Sequence, residues 1–574
     1  MTKFYASGKE HYRFIKSRVS QIQWKLPVEE SSLAPPGVAS NKDQEPILPE
    51  LRTWTSWDFA TYWMSDLINI TTWQIAASAM IVGLSTSDAV IITLLSGVLN
   101  SIPTVMSGAP GTDYHIPFPI AVRSSYGYYL GYFVVFTRGA LGIIWFSVNC
   151  WIGSFAVTEV SIHVASVKND GSNRDLDTNQ TVAALWPEYR LIENHLPTFA
   201  GITSLQMMSY LLFFLIQVPF FCIPLHKLKT LFFWKAVLLV PTSVGTVIWI
   251  CARAGNVKDI FSQEATIHGS ARTWIWLSTL CANTNSWLTM TINMSDYSRL
   301  SKTRYAPFSQ ILTIPIVKTI YAILGIATVG AGRALYARDI WSPVELLSLW
   351  TGSGGRFLAF LCGCLWILSQ VSCNISANAI PFGHDAMNIL PSYINVRRGS
   401  FICLIIGTWC LAPWKLVSTA AQFLQFMNGY GSVICCIVSI MITDYWFIKR
   451  RKLDVPGLYD PHGRYRYSAG FNWRAVVVQI LFMGITLPGV IGQVYTSISL
   501  PEVLRRIYDV NWFVCTFLPA LSYWVLCIIC PAPENVNYQG ELRVIEAESQ
   551  EINLVNTGIV TSLGFIEGQE TKLR

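Results

Sequence analysis

The most regular feature of this chain is a repeated alternation between long apolar runs and short polar connections. About twelve such runs occur, most of roughly 18 to 25 residues, and a helix of that length crosses the apolar core of a bilayer. We therefore predict twelve membrane-spanning helices, which we number span 1 to span 12 in chain order. Their predicted bounds are 58–82, 86–107, 129–156, 203–222, 231–252, 273–294, 307–331, 357–380, 399–413, 418–444, 474–494 and 511–530.

Three of the spans are interrupted by polar residues at mid-membrane depth, at 66–74 in span 1, 283–286 in span 6 and 372–378 in span 8. Because a helix that unwinds in a bilayer needs side chains to satisfy the freed backbone groups, the stretches in spans 1 and 6 indicate discontinuous helices. Spans 1 and 6 are five spans apart, which predicts two inverted repeats of five helices, a binding site where the broken helices meet, and two extra spans. The alternative for each stretch is a set of interhelical hydrogen bonds that contribute about 1 kcal/mol each.

Composition and charge agree with an all-α polytopic membrane protein. The chain is 52% hydrophobic and 13% charged, a balance that soluble domains rarely reach. The polar ends, 1–50 and 531–574, are predicted to be cytoplasmic tails that flank a transmembrane domain at 51–530. Lysine and arginine cluster on one side of the alternating spans, which identifies that side as cytoplasmic and accounts for the net charge of +7 without a nucleic-acid partner. These clusters lie in the N-terminal tail and at 226–229, 298–304, 395–399 and 448–452.

The opposite side of the membrane receives a polar insert at 165–200 with a glycosylation pattern that begins at Asn179, which fits an extracellular loop. The fourteen cysteines are scattered through apolar runs without the spacing of a zinc site or of a disulfide framework, so we expect no metal and no cofactor. Lysines in the N-terminal tail are candidate acceptors for the ubiquitin machinery, although lysines in tails commonly serve solubility alone.

Candidate binding chemistry begins in span 3, where Trp145 and Asn149 are four residues apart and share one helical face. A flat aromatic beside an amide suits a small planar heterocycle, because the ring stacks on the indole while the amide pairs with ring N–H and C=O groups. Trp287 in span 6, Gln74 in span 1 and Asn378 in span 8 would complete a sandwich of two indoles with amides around the ring edge. The alternative is that Trp145 only packs, as one of 22 tryptophans.

Several longer strings carry a family resemblance. They are RTWTSWDFATYW (52–63), NITTWQIAAS (69–78), YHIPFPIAVRSSYG (114–127), SDYSRL (295–300), NISANAIPFGHD (374–385), YINVRRG (393–399), YDPHGRYRY (459–467) and NWRAVV (472–477). From about residue 40 to about residue 530, the chain resembles the fungal uracil and allantoin permease branch of the nucleobase-cation-symport-1 family. Members of that branch carry uracil, allantoin, uridine, thiamine, nicotinamide riboside and related compounds.

The resemblance implies the leucine-transporter fold, with two five-helix inverted repeats and alternating access. It also implies roles for the five candidate residues. Trp145 matches the stacking tryptophan of the family, Trp287 the second aromatic face, and Asn378 the substrate amide of span 8. Gln74 takes the first-span position, and Asn149 stands where many members carry glutamine, which shortens that amide by one methylene.

The same resemblance places a former cation site at Ile70 and Trp73 of span 1 and at Ser369, Ser372 and Cys373 of span 8. Sodium-coupled relatives bind their ion there with backbone carbonyls and two hydroxyls, and Cys373 replaces an expected threonine. Because sodium prefers oxygen ligands to a thiol, we expect protons rather than sodium as the coupling ion.

Two ionisable residues near or inside the spans, Asp66 and Lys235, are candidate proton carriers, since an intramembrane charge is a functional hypothesis by default. The alternatives are that Asp66 caps an unwound segment and that Lys235 extends to the cytoplasmic surface.

Together these observations predict a secondary active importer at the plasma membrane, a proton-coupled symporter of a small nitrogenous ring compound with both termini in the cytoplasm. A channel would need rings of repeated filter residues, and an enzyme would need a nucleophile with its base or a metal cluster, none of which the sequence offers. A nutrient sensor on the same fold, which binds without transport, is the alternative.

Overall fold

The computed structural model describes residues 40–165, 194–223, 228–350, 352–494 and 500–532, with short pieces at 25–26, 33–36, 38 and 498. All twelve predicted spans are helical, and the glycosylation pattern at Asn179 lies outside the described residues. The observed helices are Ser56–Leu67 and Ile70–Ile81 (span 1), Thr86–Tyr114 (span 2), Tyr128–Ala165 (span 3), Ser204–Phe221 (span 4), Leu228–Ala254 (span 5), Gly269–Asn285 and Leu288–Ile292 (span 6), Gln310–Tyr336 (span 7), Gly352–Cys373 and Ile380–Ile389 (span 8), Val396–Trp409 (span 9), Ala420–Thr443 (span 10), Trp473–Val494 (span 11) and Asn511–Ile529 (span 12).

Nine of the helices in the described ranges are long and apolar enough to cross a membrane without interruption. Spans 1 and 6 fall outside that set because each is broken into shorter helices, and span 9 because it has only 14 residues. The predicted discontinuity of spans 1 and 6 is therefore confirmed.

The spans pack in the arrangement that the inverted repeat predicts. Spans 1, 2, 6 and 7 form one bundle, and spans 3, 4, 8 and 9 form a second group. Span 5 packs against both span 7 and span 8, while spans 10, 11 and 12 pack on one another. The broken helices thus face the second group across the centre of the molecule.

Asn69 explains why span 1 breaks where it does. Its Oδ1 accepts a hydrogen bond from the backbone N–H of Thr72 at 2.7 Å, and its Nδ2 donates to the carbonyl of Asp66 at 2.6 Å. One side chain therefore satisfies a free carbonyl of the first half and a free N–H of the second. Ser369 of span 8 donates to the Ile68 carbonyl between them at 3.1 Å, so this unwound backbone is satisfied by protein groups, as a bilayer requires.

The break in span 6 is closed by one side chain of its own and by side chains from other spans. The carbonyl of Asn283 accepts from Lys318 Nζ of span 7 at 2.8 Å and from the Ser286 hydroxyl at 2.6 Å. The carbonyl of Asn285 accepts from the Tyr430 hydroxyl of span 10 at 2.6 Å. The last carbonyls of the first half-helix are therefore held by both the bundle and span 10.

Span 8 stays continuous but contains a π-helical segment, Asn374–Ala379. Pro381 follows it and lacks the N–H that would continue the regular hydrogen bonding of an α-helix. Single π-helical segments inside α-helices occur frequently at functional sites. This one carries Asn378, which the sequence analysis selects as a substrate amide.

Candidate substrate-binding site

A small buried cavity of about 20 Å³ lies where spans 1, 3, 6 and 8 meet. Four of the five predicted substrate-binding residues line it, namely Trp145, Asn149, Trp287 and Asn378. Gln74, the fifth, is buried on the second half of span 1 but is not part of the lining. A volume of this size holds about one water molecule, so a heterocycle can enter only when the surrounding spans move apart.

Further polar side chains line the cavity that the sequence analysis did not select individually. Asn69 and Thr71 come from span 1, and Ser286 and Thr289 from span 6. Three of these four lie in or beside the polar interruptions of the two broken spans. The polar interruptions could therefore have indicated these residues as candidates. Which of them line the cavity depends on how the spans pack.

The two tryptophans are held by aromatic neighbours. Trp145 lies edge-to-face with Phe426 and Tyr430 of span 10, at centroid separations of 5.3 and 6.0 Å. Trp287 meets Trp63 of span 1 edge-to-face at 5.8 Å. Edge-to-face contacts favour fixed ring orientations, so the two indoles form a preorganised aromatic lining.

Asn149 of span 3 is oriented by two neighbours that both use its oxygen. Its Oδ1 accepts from the Thr71 hydroxyl at 2.8 Å and from Gln370 Nε2 at 3.4 Å. Its Nδ2 has no hydrogen-bond partner among the described residues, so this wall of the cavity presents an amide donor.

Asn378 of span 8 has the opposite orientation. Its Nδ2 donates to Asn374 Oδ1 at 3.1 Å, and its Oδ1 has no hydrogen-bond partner in the described part of the chain. The cavity therefore presents a donor from span 3 and a carbonyl acceptor from span 8, which together complement a C=O and an N–H on a ligand.

The predicted former cation site lies where span 8 faces the break in span 1. The Ser369 hydroxyl is already bonded to the Ile68 carbonyl at 3.1 Å, and the Cys373 sulfur accepts from Asn69 Nδ2 at 3.4 Å. The Ser372 hydroxyl is buried without a partner among the described residues. Both serine oxygens keep lone pairs for a cation, but the Cys373 thiol offers sulfur in place of an oxygen, and sodium prefers oxygen ligands.

Ile70 and Trp73, also predicted at that site, are fully buried in the second half of span 1. The indole of Trp73 lies edge-to-face with Tyr321 of span 7 and Trp366 of span 8, at 5.8 and 5.9 Å. Its carbonyl faces Gly325 of span 7, where an added Cβ would lie 2.6 Å from the oxygen. Trp73 therefore directs both its ring and its carbonyl into interhelical packing.

The two candidate proton carriers meet at the first break. Lys235 of span 5 is 1% exposed, and its Nζ donates to the carbonyl of Ser65 at the end of the first half of span 1. Asp66, also 1% exposed, accepts a 2.6 Å hydrogen bond from the Ser376 hydroxyl of span 8. The ammonium is close enough to interact electrostatically with Asp66 and with the Cys373 sulfur. Lys235 thus lies at the break in span 1 rather than at a surface of the protein.

Comparison with known proteins places this architecture in a family. The model of a family described as "Permease for cytosine/purines, uracil, thiamine, allantoin" matches residues 46–173 and 177–515. The allantoin permease of Saccharomyces cerevisiae is 29% identical over 507 residues, which cover 86% of this chain and 76% of that protein. The uracil permease of the same yeast is 30% identical over 505 residues, with the same two coverages.

Among solved structures, Mhp1, a nucleobase-cation-symport-1 family transporter in a closed conformation with bromovinylhydantoin bound, superposes with a TM-score of 0.65. The match covers 87% of this chain and 99% of Mhp1 at 16% sequence identity, so it establishes the shared fold. Since the family model spans most of the chain and the fold agrees with it, this protein is a secondary transporter of the nucleobase-cation-symport-1 family.

Proposed function

We propose that this transporter imports a small planar heterocycle by symport with protons. The observation that carries the proposal is the cavity itself, which combines Trp145 and Trp287 with the free Asn149 Nδ2 donor and the free Asn378 Oδ1 acceptor. A ring with an N–H beside a C=O would use both polar groups and would stack on an indole.

The substrate class follows from that ring edge. Uracil and allantoin each carry N–H groups beside carbonyls, and the yeast relatives named for these two compounds support the choice. Asn149 is shorter than the glutamine common at its position, and the 2.8 Å bond from Thr71 holds its oxygen away from the ligand. We therefore expect a substrate that accepts a hydrogen bond from the Asn149 Nδ2 group. Uracil, allantoin, nucleosides and vitamin-like rings are the compounds from which it is to be identified.

Lys235 is the basis for proton rather than sodium coupling. Its ammonium donates to the Ser65 carbonyl near the C-terminus of the first half of span 1, and in ion-coupled transporters such half-helix ends coordinate the cation. A covalently attached ammonium leaves little electrostatic reason for a sodium ion to bind beside it. Asp66, the buried carboxylate that follows Ser65 in the chain, is then the exchangeable group.

Protonation of Asp66 would act directly on the substrate segment. Ser376, which donates to Asp66 at 2.6 Å, lies in the π-helical segment two residues before Asn378. A neutral Asp66 attracts neither the Ser376 hydroxyl nor the Lys235 ammonium as strongly as an ionised carboxylate does. Proton binding to Asp66 would therefore weaken the contact between span 1 and the π-helical segment of span 8, which carries Asn378.

The proposal includes a plasma-membrane location with both termini in the cytoplasm, on the side where the lysine and arginine clusters gather. Lysines of the N-terminal tail are the proposed acceptors for ubiquitin.

The deciding experiment is uptake of radiolabelled uracil, allantoin, uridine, thiamine and nicotinamide riboside in a transporter-null yeast, at acidic and neutral pH and with sodium replaced by choline. We expect saturable, acid-stimulated accumulation of one compound that is indifferent to sodium, and loss of that accumulation in Asn378→Ala at unchanged surface abundance. A strict sodium requirement would refute proton coupling, and normal kinetics in Asn378→Ala would refute the site. Binding without accumulation would instead identify a sensor.

A further inference from the structure

Gln217 is a fully buried glutamine on span 4, which contributes no residue to the cavity lining in the described part of the chain. A buried amide in a membrane helix is costly unless its hydrogen bonds are satisfied. Its Nε2 donates to the Cys150 sulfur of span 3 at 3.3 Å, and its Oε1 accepts from Asn374 Nδ2 of span 8 at 3.0 Å. Gln217 therefore joins span 4 to the segment that carries Asn378.

These contacts form a row of amides with one direction. Asn374 accepts at its Oδ1 from Asn378 Nδ2 at 3.1 Å and uses its own Nδ2 on Gln217 and, at 3.4 Å, on the Cys150 sulfur. Rotating the Asn378 carboxamide by half a turn would set its oxygen against the Asn374 oxygen. Rotating Asn374 as well would set its oxygen against that of Gln217. The orientation of Asn378 therefore depends on Gln217.

The far end of the row is anchored on helix backbone. Thr408 of span 9 donates its hydroxyl hydrogen to the Leu404 carbonyl at 2.7 Å. Its oxygen is left to accept from the Cys150 thiol, 3.8 Å away, so the sulfur accepts from Gln217 and Asn374. Because a backbone carbonyl only accepts, this anchor favours the direction in which Gln217 and Asn374 donate toward the Cys150 sulfur.

We propose that Gln217 is a specificity-determining positioning residue, which holds the Asn378 carbonyl oxygen toward the cavity so that the site selects ring edges with an N–H donor. This proposal rests on the proposed function, since it requires the substrate to meet Asn378. If a ring places an acceptor atom opposite the Asn378 oxygen, the lone pairs of the two atoms face each other and no hydrogen bond forms. A site built around that hydrogen bond rejects such a ring strongly. Uracil has an N–H between two carbonyls, whereas cytosine has a bare ring nitrogen in place of that N–H.

The test is equilibrium binding of uracil and of cytosine to the purified full-length protein and to Gln217→Met. Methionine keeps the approximate length of glutamine but has no amide oxygen to orient Asn374. We expect the preference for uracil over cytosine to fall about tenfold. The matched control is Ser209→Ala, which removes the 2.8 Å bond between Thr158 of span 3 and Ser209 of span 4 outside the row and should keep the preference of the parent protein.

An unchanged preference in Gln217→Met, even with both affinities lowered, would overturn the proposal and leave Gln217 as interhelical packing. If that variant does not fold, Cys150→Ala removes the anchor from the other side and should shift the preference in the same direction. Asn378→Ala is measured in parallel. Unaltered binding in Asn378→Ala would refute the proposed site as well. No binding of either ring by the parent protein would refute the selectivity proposed here, without excluding the other compounds of the proposed set. Lost binding in Asn378→Ala with an intact preference in Gln217→Met refutes only the role of Gln217.

Discussion

The two broken spans meet the same physical problem by different means. In span 1, Asn69 bonds to groups on both sides of the break from within the span itself. In span 6 the second half begins after Trp287, which makes no side-chain cap, and the freed carbonyls depend on Lys318 and Tyr430 from other spans. The first break is therefore closed largely from within its own span, whereas the second depends more on residues of other spans.

Each break also has a buried lysine. Lys235 donates to the Ser65 carbonyl at span 1, and Lys318 donates to the Asn283 carbonyl at 2.8 Å and to the Ser96 hydroxyl at 2.9 Å at span 6. Carbonyls at a helix C-terminus attract positive charge, so both ammonium groups lie at the kind of position where broken-helix transporters bind cations.

The difference between the two lysines is the chemistry beside them. Lys235 bonds to the carbonyl of Ser65, the residue before the carboxylate Asp66, while the hydrogen-bond partners of Lys318 are neutral. The first break has a carboxylate, Asp66, whose protonation would weaken its bond from the Ser376 hydroxyl of span 8, whereas the hydrogen-bond partners of Lys318 at the second break include no carboxylate among the described residues. Under the proposed function, we therefore expect changes at the first break to alter proton coupling. We expect changes at the second break to alter the shape of the substrate site.

The largest expected effect comes from Asp66→Asn, which keeps the shape of the side chain but cannot bind a proton at a carboxylate. We expect acid-stimulated accumulation to disappear, measured as the ratio of uptake at acidic and neutral pH. Asp58→Asn is the matched control, because Asp58 is a partly exposed residue of the same span that bonds to the Thr55 backbone at 2.9 Å. Acid stimulation that persists in Asp66→Asn would remove Asp66 from the coupling mechanism.

A smaller effect is expected from Lys318→Met. The variant loses two hydrogen bonds from a charged donor, to the Asn283 carbonyl and to the Ser96 hydroxyl, each worth about 1.5 to 3 kcal/mol. Because the Asn283 carbonyl keeps its bond from Ser286, we expect uptake to fall without being abolished. The ratio of uptake at acidic and neutral pH should stay at the parent value, whereas Lys235→Met should lose it. Loss of the pH dependence in Lys318→Met and its retention in Lys235→Met would instead assign proton coupling to the second break.

The next effect concerns stability. Asn69→Ala removes the bonds to Thr72 and Asp66, and loss of a helix N-cap costs about 1 to 2 kcal/mol. Ser286→Ala should cost less, because the Asn283 carbonyl retains Lys318. Thermal unfolding of the purified variants measures this difference, and equal losses would contradict the contrast between local and tertiary closure.

The smallest effect is expected from Cys373→Thr, which restores a hydroxyl to the former cation site. With the Lys235 ammonium still present, we expect no sodium dependence of uptake. Sodium-stimulated uptake in this variant, measured against choline, would show that the thiol rather than the lysine excludes the ion.

Much of this architecture can be predicted from the amino-acid sequence alone. Hydropathy determines twelve spans because each helix must match the bilayer, and the polar interruptions of spans 1 and 6 predict breaks because the residues that close a broken helix lie beside it, as Asn69 does. The spacing of Trp145 and Asn149 predicts a shared face, and both residues line the cavity.

Tertiary structure alone decides which atoms meet. Thr71 faces the cavity and Gln74 does not, because spans 3, 6 and 8 determine which face of span 1 is covered. The buried row from Gln217 through Asn374 joins residues 157 positions apart, and it sets which atom of Asn378 is offered to a ligand. Local sequence specifies helices, breaks and polar side chains, but the direction of a buried amide is set by partners that only the packing of distant spans brings within hydrogen-bond distance.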